Sequence, residues 1–371
     1  MQDALQASTR FLRTQINWHR VGVTIGLTIM VVAAIVLYRL LSDIEPREVL
    51  AALTGAETRD LIAAAFFVAV GYLTLTFYDY FALHTIGRAD VPYRVAALAG
   101  FTSYSIGHNV GFSIFSGGSV RYRVYSSSSS LSALEVAKIC LIAGFTFWLG
   151  NIAVLGLGFA IEPEAATAVD RLPPIVNRAL GGLALLMLAG YVAWASVAPR
   201  RIGYGSWALT LPSGRLTFIQ ILLGIVDLTC AAAAMYMLMP DQPAIDFIGL
   251  AVIFVTATLL GFASHTPGGL GVFDVTMLLA LQLFDKEELV GAVLLFRLLY
   301  YIVPLALSLV IIGAREFALD LKPLLNVPRR LDPDVPAFRA ETKPRGGHRS
   351  SRERPTPRSR ARKPVGKQPR R

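Results

Sequence analysis

The feature that most constrains this chain is the recurrence of apolar runs near 20 residues long, the length an α-helix needs to cross the roughly 30 Å hydrocarbon core of a bilayer. Uninterrupted runs occupy residues 21–41, 61–83, 132–161, 179–198, 217–239, 244–264 and 289–313. Residues are 54% hydrophobic and only 16% charged, against roughly 25% charged in soluble domains. The expectation is an all-α, polytopic integral membrane helical bundle with no soluble domain of any size.

Two further apolar segments, 95–118 and 267–284, are broken by glycine, proline and polar residues. Positive charges determine how each is read. If 95–118 crossed fully, Arg88 and Arg94 would lie on the opposite side from Arg121 and Arg123, whereas the positive-inside rule keeps them together. That segment is therefore expected to be re-entrant. Segment 267–284 is expected to cross, which returns the basic C-terminal tail to the side of the arginines. The result is about eight crossings plus re-entrant or broken helices, with both termini cytoplasmic and the loop "MPDQPAID" outside.

The chain divides on this reading into a cytoplasmic N-terminal segment (1–20), a membrane domain (21–320) and a disordered basic tail (321–371). Arg10, Arg13 and Arg20 precede the first run like the start of a signal peptide, but the run is long and lacks a small-residue cleavage site, so it reads as a retained signal anchor. From Lys322 onward the chain has 16 Lys and Arg against 4 Asp and Glu, leaving 19 against 21 for the remainder. A Pro-, Ser- and Arg-rich tail of this kind has little to bury. It suits a topology anchor and a contact for anionic membrane lipid. Specific nucleic-acid recognition is not expected, because a polybasic tail binds any polyanion.

Non-helical backbone at membrane depth survives only where protein or a wet cavity satisfies it, so the broken segments are the places to look for a site. They read "SYSIGHNVGFSIFSGGSVRYR" and "GFASHTPGGLGVFD", and paired broken segments point to a transporter's binding site and to an inverted repeat. In the first, Gly117 and Gly118 are expected to turn the backbone into an anion-binding nest. Arg121 and Arg123 add forked donors suited to phosphate, or serve only as inside-facing anchors. Ser132 and Glu135 have capping-box spacing. Among ionisable residues within runs, Asp227, Asp274 and Arg297 are candidates for a headgroup site. Arg297 and Asp274 could equally form a structural ion pair. Asp79 is expected to snorkel toward a span end, and Asp79 or Asp227 is a candidate proton site. His84, His108 and His265 lack metal-ligand spacing, and Cys140 and Cys230 read as packing residues. No phosphate-binding loop for ATP is present, and no cofactor or catalytic residue is assigned.

The stretches "GGSVRYRVYS", "TPGGLGVFD" and "RLLYYIVP" resemble the signatures of the transmembrane region of the lysylphosphatidylglycerol synthetase/flippase family, the MprF type, and of its stand-alone YbhN-like relatives. The resemblance spans roughly residues 15–320. It implies a bacterial inner-membrane, flippase-like domain that moves or binds a phospholipid such as aminoacylated phosphatidylglycerol. Its matching positions are Gly117, Gly118, Arg121, Arg123 and Tyr125, then Pro267, Gly268, Gly269, Gly271 and Asp274, then Arg297, Tyr301 and Pro304. This chain departs from the pattern with Asp274 where Glu is common and with serines where a Gly follows the Arg-Tyr-Arg unit. It ends without the soluble transferase domain of the bifunctional members, so it is expected to be no enzyme. The alternative is a non-transporting scaffold for a separate lipid synthetase or glycosyltransferase. A homodimer stays open.

Overall fold

The computed structural model describes residues 55–325 apart from 112, 198–200, 204–207 and 265, together with the isolated positions 35 and 47. The expected first crossing at 21–41, save for Ile35, and the tail from 326 onward lie outside the described residues.

Among the described residues, eleven α-helices, a 3₁₀ turn and a π-helical turn follow in order. They are α1 (Thr58–Thr85), α2 (Tyr93–Val110), α3 (Ser113–Ser129), α4 (Ala133–Ile161), the short α5 (Pro163–Asp170) and α6 (Pro174–Val197), then α7 (Gly214–Leu238), α8 (Phe247–Ala263), a 3₁₀ turn (Pro267–Gly269), α9 (Val272–Ala280), α10 (Lys286–Arg297) and α11 (Val303–Leu325), the last two joined by a π-helical turn (Leu298–Ile302). A two-residue antiparallel ribbon, β1 (Arg201–Ile202) with β2 (Leu209–Thr210), sits between α6 and α7. The chain is an all-α membrane bundle. Among the described residues, five units are long and apolar enough to cross a membrane: α1, α4, α6, α7 and the continuous Lys286–Phe317 unit formed by α10, the π turn and α11.

Polar contacts gather one end of this bundle. Arg88, between α1 and α2, donates to Glu135 of α4 (2.6 Å) and to the Ser129 carbonyl at the end of α3 (3.1 Å). Lys138 reaches the Ala208 carbonyl beside the ribbon at 3.0 Å. Arg315 of α11 donates to Ser127 and Ser128, and Arg123 pairs with Glu316. Because the chain enters α2 and leaves α3 at this same arginine-rich end, α2 and α3 form a re-entrant hairpin, as the charges predict. Its tip is Gly111, at φ 79°, in a region of backbone space that only glycine occupies cheaply.

The second broken segment differs from the expected crossing. A nine-residue α9 spans only about 14 Å at 1.5 Å per residue, too short for the bilayer. It turns back along α8 instead, with Gly261 packed on Gly269 and Phe254 edge-on to Phe273, their ring centroids 5.6 Å apart. Runs 244–264 and 267–284 are therefore the two arms of one hairpin that enters from the opposite end. Exchanging two crossings for one hairpin lowers the count by two and leaves parity unchanged, so α11 still ends among the arginines.

The hairpin tips meet near half-height. Asn109, two residues from the first tip, donates to the Tyr301 carbonyl at 3.1 Å, about midway along the Lys286–Phe317 crossing. α2 packs directly on Pro267–Gly269. Close packing of the crossings uses small residues, as membrane helices require without a hydrophobic drive between them. α4 and α7 touch at Gly150 and Gly224, where a Cβ on Gly150 would fall 2.5 Å from the Gly224 Cα. The π turn has a local cause as well. Pro304 has no N–H for the Tyr300 carbonyl four residues back, and the Tyr72 hydroxyl supplies the missing donor at 2.9 Å.

Candidate functional site

Each hairpin is tied to a crossing helix by an ion pair, fully enclosed in the first and partly exposed at Asp274 in the second. On the returning arm of the first hairpin, Arg121 grips Asp79 of α1 through Nε (3.0 and 3.1 Å) and Nη2 (2.9 Å). Tyr125 donates to the same carboxylate at 2.8 Å. Asp79 is completely buried and Arg121 only 5% exposed. The expectation that Asp79 snorkels is thus overturned: bringing α3 into the bundle surrounds it with protein, and a buried carboxylate persists when a guanidinium and a hydroxyl satisfy it. On the returning arm of the second hairpin, Asp274 accepts from Arg297 Nε and Nη2, both at 2.7 Å, while Arg297 Nη1 donates to the Gly268 carbonyl at 3.1 Å. Arg297 and Asp274 thus form the ion pair that was one of the two open readings.

The glycines have different roles in the two hairpins. Gly117 and Gly118 lie within helix α3 and form no nest. A Cβ on Gly117 would sit 3.0 Å from the Ser103 carbonyl, so its bare backbone permits close approach of α2 rather than a turn. In the second hairpin Gly268, Gly269 and Gly271 all adopt positive φ, of 61°, 64° and 82°. They do turn the chain, and the Gly271 N–H is spent on Asp274 at 2.9 Å. The serine run explains how so polar a stretch enters the bundle. It continues α3 to Ser129, with hydroxyls such as that of Ser127 bonded to the Arg123 carbonyl one turn back, a local way to satisfy such groups. The Ser132–Glu135 capping box forms as its spacing predicts.

Between the hairpins and α4 lies a cavity of about 300 Å³, lined by Tyr104, His108, Arg121, Cys140, Gly144 and Phe147, among others. That volume is at the lower bound of small-molecule sites. Its mouth carries Trp148, 55% exposed at the midpoint of α4, and Phe115, 75% exposed near the first hairpin tip. It therefore opens on the flank of the bundle. The Arg121 guanidinium lies 4.6 Å from the Tyr104 ring centroid, and Cys140 lines the same cavity.

Of the other expected site residues, Arg123 points to the arginine-rich end and pairs with Glu316, away from this cavity. Arg297 lies a layer behind it, beside Tyr301. Tyr301 and Asp227 line a second, smaller void of about 30 Å³ that shares Tyr104, His108, Phe147 and Phe262 with the first. Three arginines holding one phosphate is therefore not the arrangement formed. His265 lies outside the described residues, and His84 is bonded to the Tyr80 carbonyl. Sequence reasoning left Tyr104 and Phe147 unassigned and treated His108 as a generic hydrogen-bonding residue. The spacing of Tyr104 and His108, one helical turn apart within a broken segment, was the available signal.

Two relatives decide the family. The chain is 30% identical to the uncharacterized protein slr0712 of Synechocystis over 271 residues, 73% of this chain and 84% of that protein. It is 28% identical to the inner membrane protein YbhN of Escherichia coli over 258 residues, 67% of this chain and 78% of that protein. The chain belongs to the YbhN-like family. This family is related to the phosphatidylglycerol lysyltransferases. The Staphylococcus aureus enzyme is 24% identical over 325 residues, which are 85% of this chain but 36% of that enzyme. No family model matches the chain. Family membership makes it a membrane protein related to lipid-modifying or flippase proteins.

Proposed function

We propose that this YbhN-like protein binds a phospholipid, such as an aminoacylated phosphatidylglycerol, and transfers it between leaflets as a lipid flippase or transporter. The observation that carries this reading is the flank-opening cavity with Arg121 in its wall. A headgroup can enter sideways at half-height while acyl chains stay in the bilayer. Phosphate would be met by the Arg121 edge not engaged by Asp79, with Tyr104 and His108 beside it. The aromatic walls would cover glycerol and the first methylenes. We place the protein in the bacterial inner membrane with the arginine-rich end cytoplasmic, by the positive-inside rule and by analogy with YbhN.

Gly144 supplies the test. It lines the cavity, and a Cβ added there meets nothing within 4 Å, so Gly144→Leu fills the chamber without displacing backbone. Gly182, on the outer face of α6, is equally open and makes Gly182→Leu the matched control. In proteoliposomes carrying headgroup-labelled phosphatidylglycerol or its lysyl ester, Gly144→Leu is expected to slow leaflet exchange at least about tenfold, equivalent to about 1.4 kcal/mol, and Gly182→Leu to leave it unchanged. Equal rates for wild type and both variants would remove the cavity from lipid handling. Absence of exchange in wild type would favour the scaffold reading.

A further inference from the structure

We propose that Asp227 is a proton-binding site, and that its proton is taken up together with an anionic headgroup held against Arg121. The coupling rests on the lipid-handling reading above; the site itself does not.

Among the described residues, Asp79, Asp227 and the partly exposed Asp274 are the carboxylates that matter inside the bundle, and they are not equivalent. Asp79 and Asp274 each hold a guanidinium through two oxygens. Asp227, 4% exposed on α7, accepts a single hydrogen bond, from the Tyr78 hydroxyl at 3.2 Å, and its Oδ1 has no partner. No lysine or arginine faces it among the described residues. An unpaired buried carboxylate costs several kcal/mol in desolvation, and one proton removes that cost without requiring any rearrangement of the packing.

The surroundings provide a route for that proton. The void beside Asp227 has room for a water, which needs about 10–15 Å³ and polar partners. Its shared wall with the larger cavity includes His108, whose Nδ1 is buried without a partner. A proton entering the larger cavity can pass by His108 and a water to Asp227. The titratable groups facing Asp227 are Tyr72 and Tyr78 of α1, Tyr104 and His108 of α2, Cys230 of its own helix, and Tyr300 and Tyr301 of the π turn. None brings a fixed positive charge, and α4 and α8 contribute only Phe147, Phe254, Thr258 and Phe262 to the wall.

Coupling follows from charge and contact. Asp79 already neutralises Arg121, so an anionic headgroup reaching that guanidinium adds a negative charge that nothing else in the chamber balances. Protonating Asp227 removes one nearby negative charge. The two sites touch through Tyr104, whose ring lies over Arg121 and packs edge-on at 6.0 Å against Tyr78, the residue bonded to Asp227. Linkage makes the effect reciprocal: a bound headgroup strengthens proton binding by the factor with which the proton strengthens headgroup binding.

Two measurements on the full chain in dodecyl maltoside micelles test this. Infrared difference spectra on acidification should show the C=O stretch of a protonated carboxyl in wild type and lose it in Asp227→Asn. Titration with phosphatidylglycerol at successive pH values should show affinity falling by about tenfold per pH unit in the alkaline limb, the signature of one linked proton, with that slope abolished in Asp227→Asn. Tyr78→Phe removes a donor that favours the anion, so it should keep the slope and move the midpoint of the infrared band to higher pH. If Asp227→Asn does not fold, an unmoved midpoint in Tyr78→Phe overturns the assignment. A carboxyl band or slope that survives Asp227→Asn also overturns it, as does a slope lost only in His108→Gln or an affinity that follows sodium at fixed pH. Failure of phosphatidylglycerol to bind at any pH would refute the coupling and the lipid reading, and the infrared band alone would then decide whether Asp227 takes the proton.

Discussion

Removing one side of the Asp79–Arg121 pair should cost far more than removing both. Asp79 is fully enclosed and receives three guanidinium contacts and the Tyr125 hydroxyl. Asp79→Leu strands a buried cation, and Arg121→Met strands a buried anion with only Tyr125 to satisfy it. Each is expected to destabilise the bundle by about 3–5 kcal/mol. The double replacement removes both charges. Apolar substitution of a buried pair ranges from neutral to stabilising by about 1–4 kcal/mol, and the Tyr125 hydroxyl left without an acceptor costs about 1–3 kcal/mol, so the net change should lie near zero. The double-mutant cycle should therefore give a coupling of at least about 5 kcal/mol, above the 0.5–3 kcal/mol usual for contacting residues. Reversible unfolding in mixed micelles, followed by tryptophan fluorescence, measures it. Single variants costing less than about 1 kcal/mol, the range of exposed pairs, would refute the reasoning, because they would show that water reaches the pair and that it does not position α3. The folded double variant should also fail to bind phosphatidylglycerol, since it lacks the guanidinium in the cavity wall.

Two further outcomes follow from the backbone. Gly111→Ala forces a Cβ into the φ 79°, ψ 176° conformation of the first hairpin tip and should cost about 1–3 kcal/mol, read by the same unfolding assay. Tyr72→Phe leaves the Tyr300 carbonyl without its donor and should cost about 1–3 kcal/mol. Adding Pro304→Ala restores a backbone N–H in that turn and should recover part of the loss, whereas no recovery would mean that Pro304 is not the cause of the vacancy.

The crossings α1, α4, α6 and α7 were legible because length and hydropathy alone identify a helix that spans a bilayer. The first hairpin was legible because Arg88, Arg94, Arg121 and Arg123 were expected to share one end only if 95–118 turned back; the turn forms, but Arg121 lies deeper in the bundle, on Asp79. The second hairpin was not, because an inserted hairpin and two crossings have the same parity, so the charges of the tail cannot distinguish them. At the site, the serine cap was readable from spacing, and the Arg297–Asp274 pair was one of two readings left open. The partner of Asp79 was not, since Arg121 lies 42 residues away and no local pattern connects them. The misreading of Gly117 and Gly118 has a related cause: a glycine that admits a neighbouring helix and a glycine that turns the chain look the same in one dimension.

By itself, the sequence determined that this chain is a helical membrane protein whose polar residues collect in two broken segments, because hydrocarbon tolerates nothing else at those lengths and compositions. Only the tertiary structure decided which charges neutralise each other, which one remains without a counterion, and which side chains face a common cavity. Those outcomes depend on contacts between helices far apart in the chain, at distances of a few ångströms that neither hydropathy nor spacing encodes.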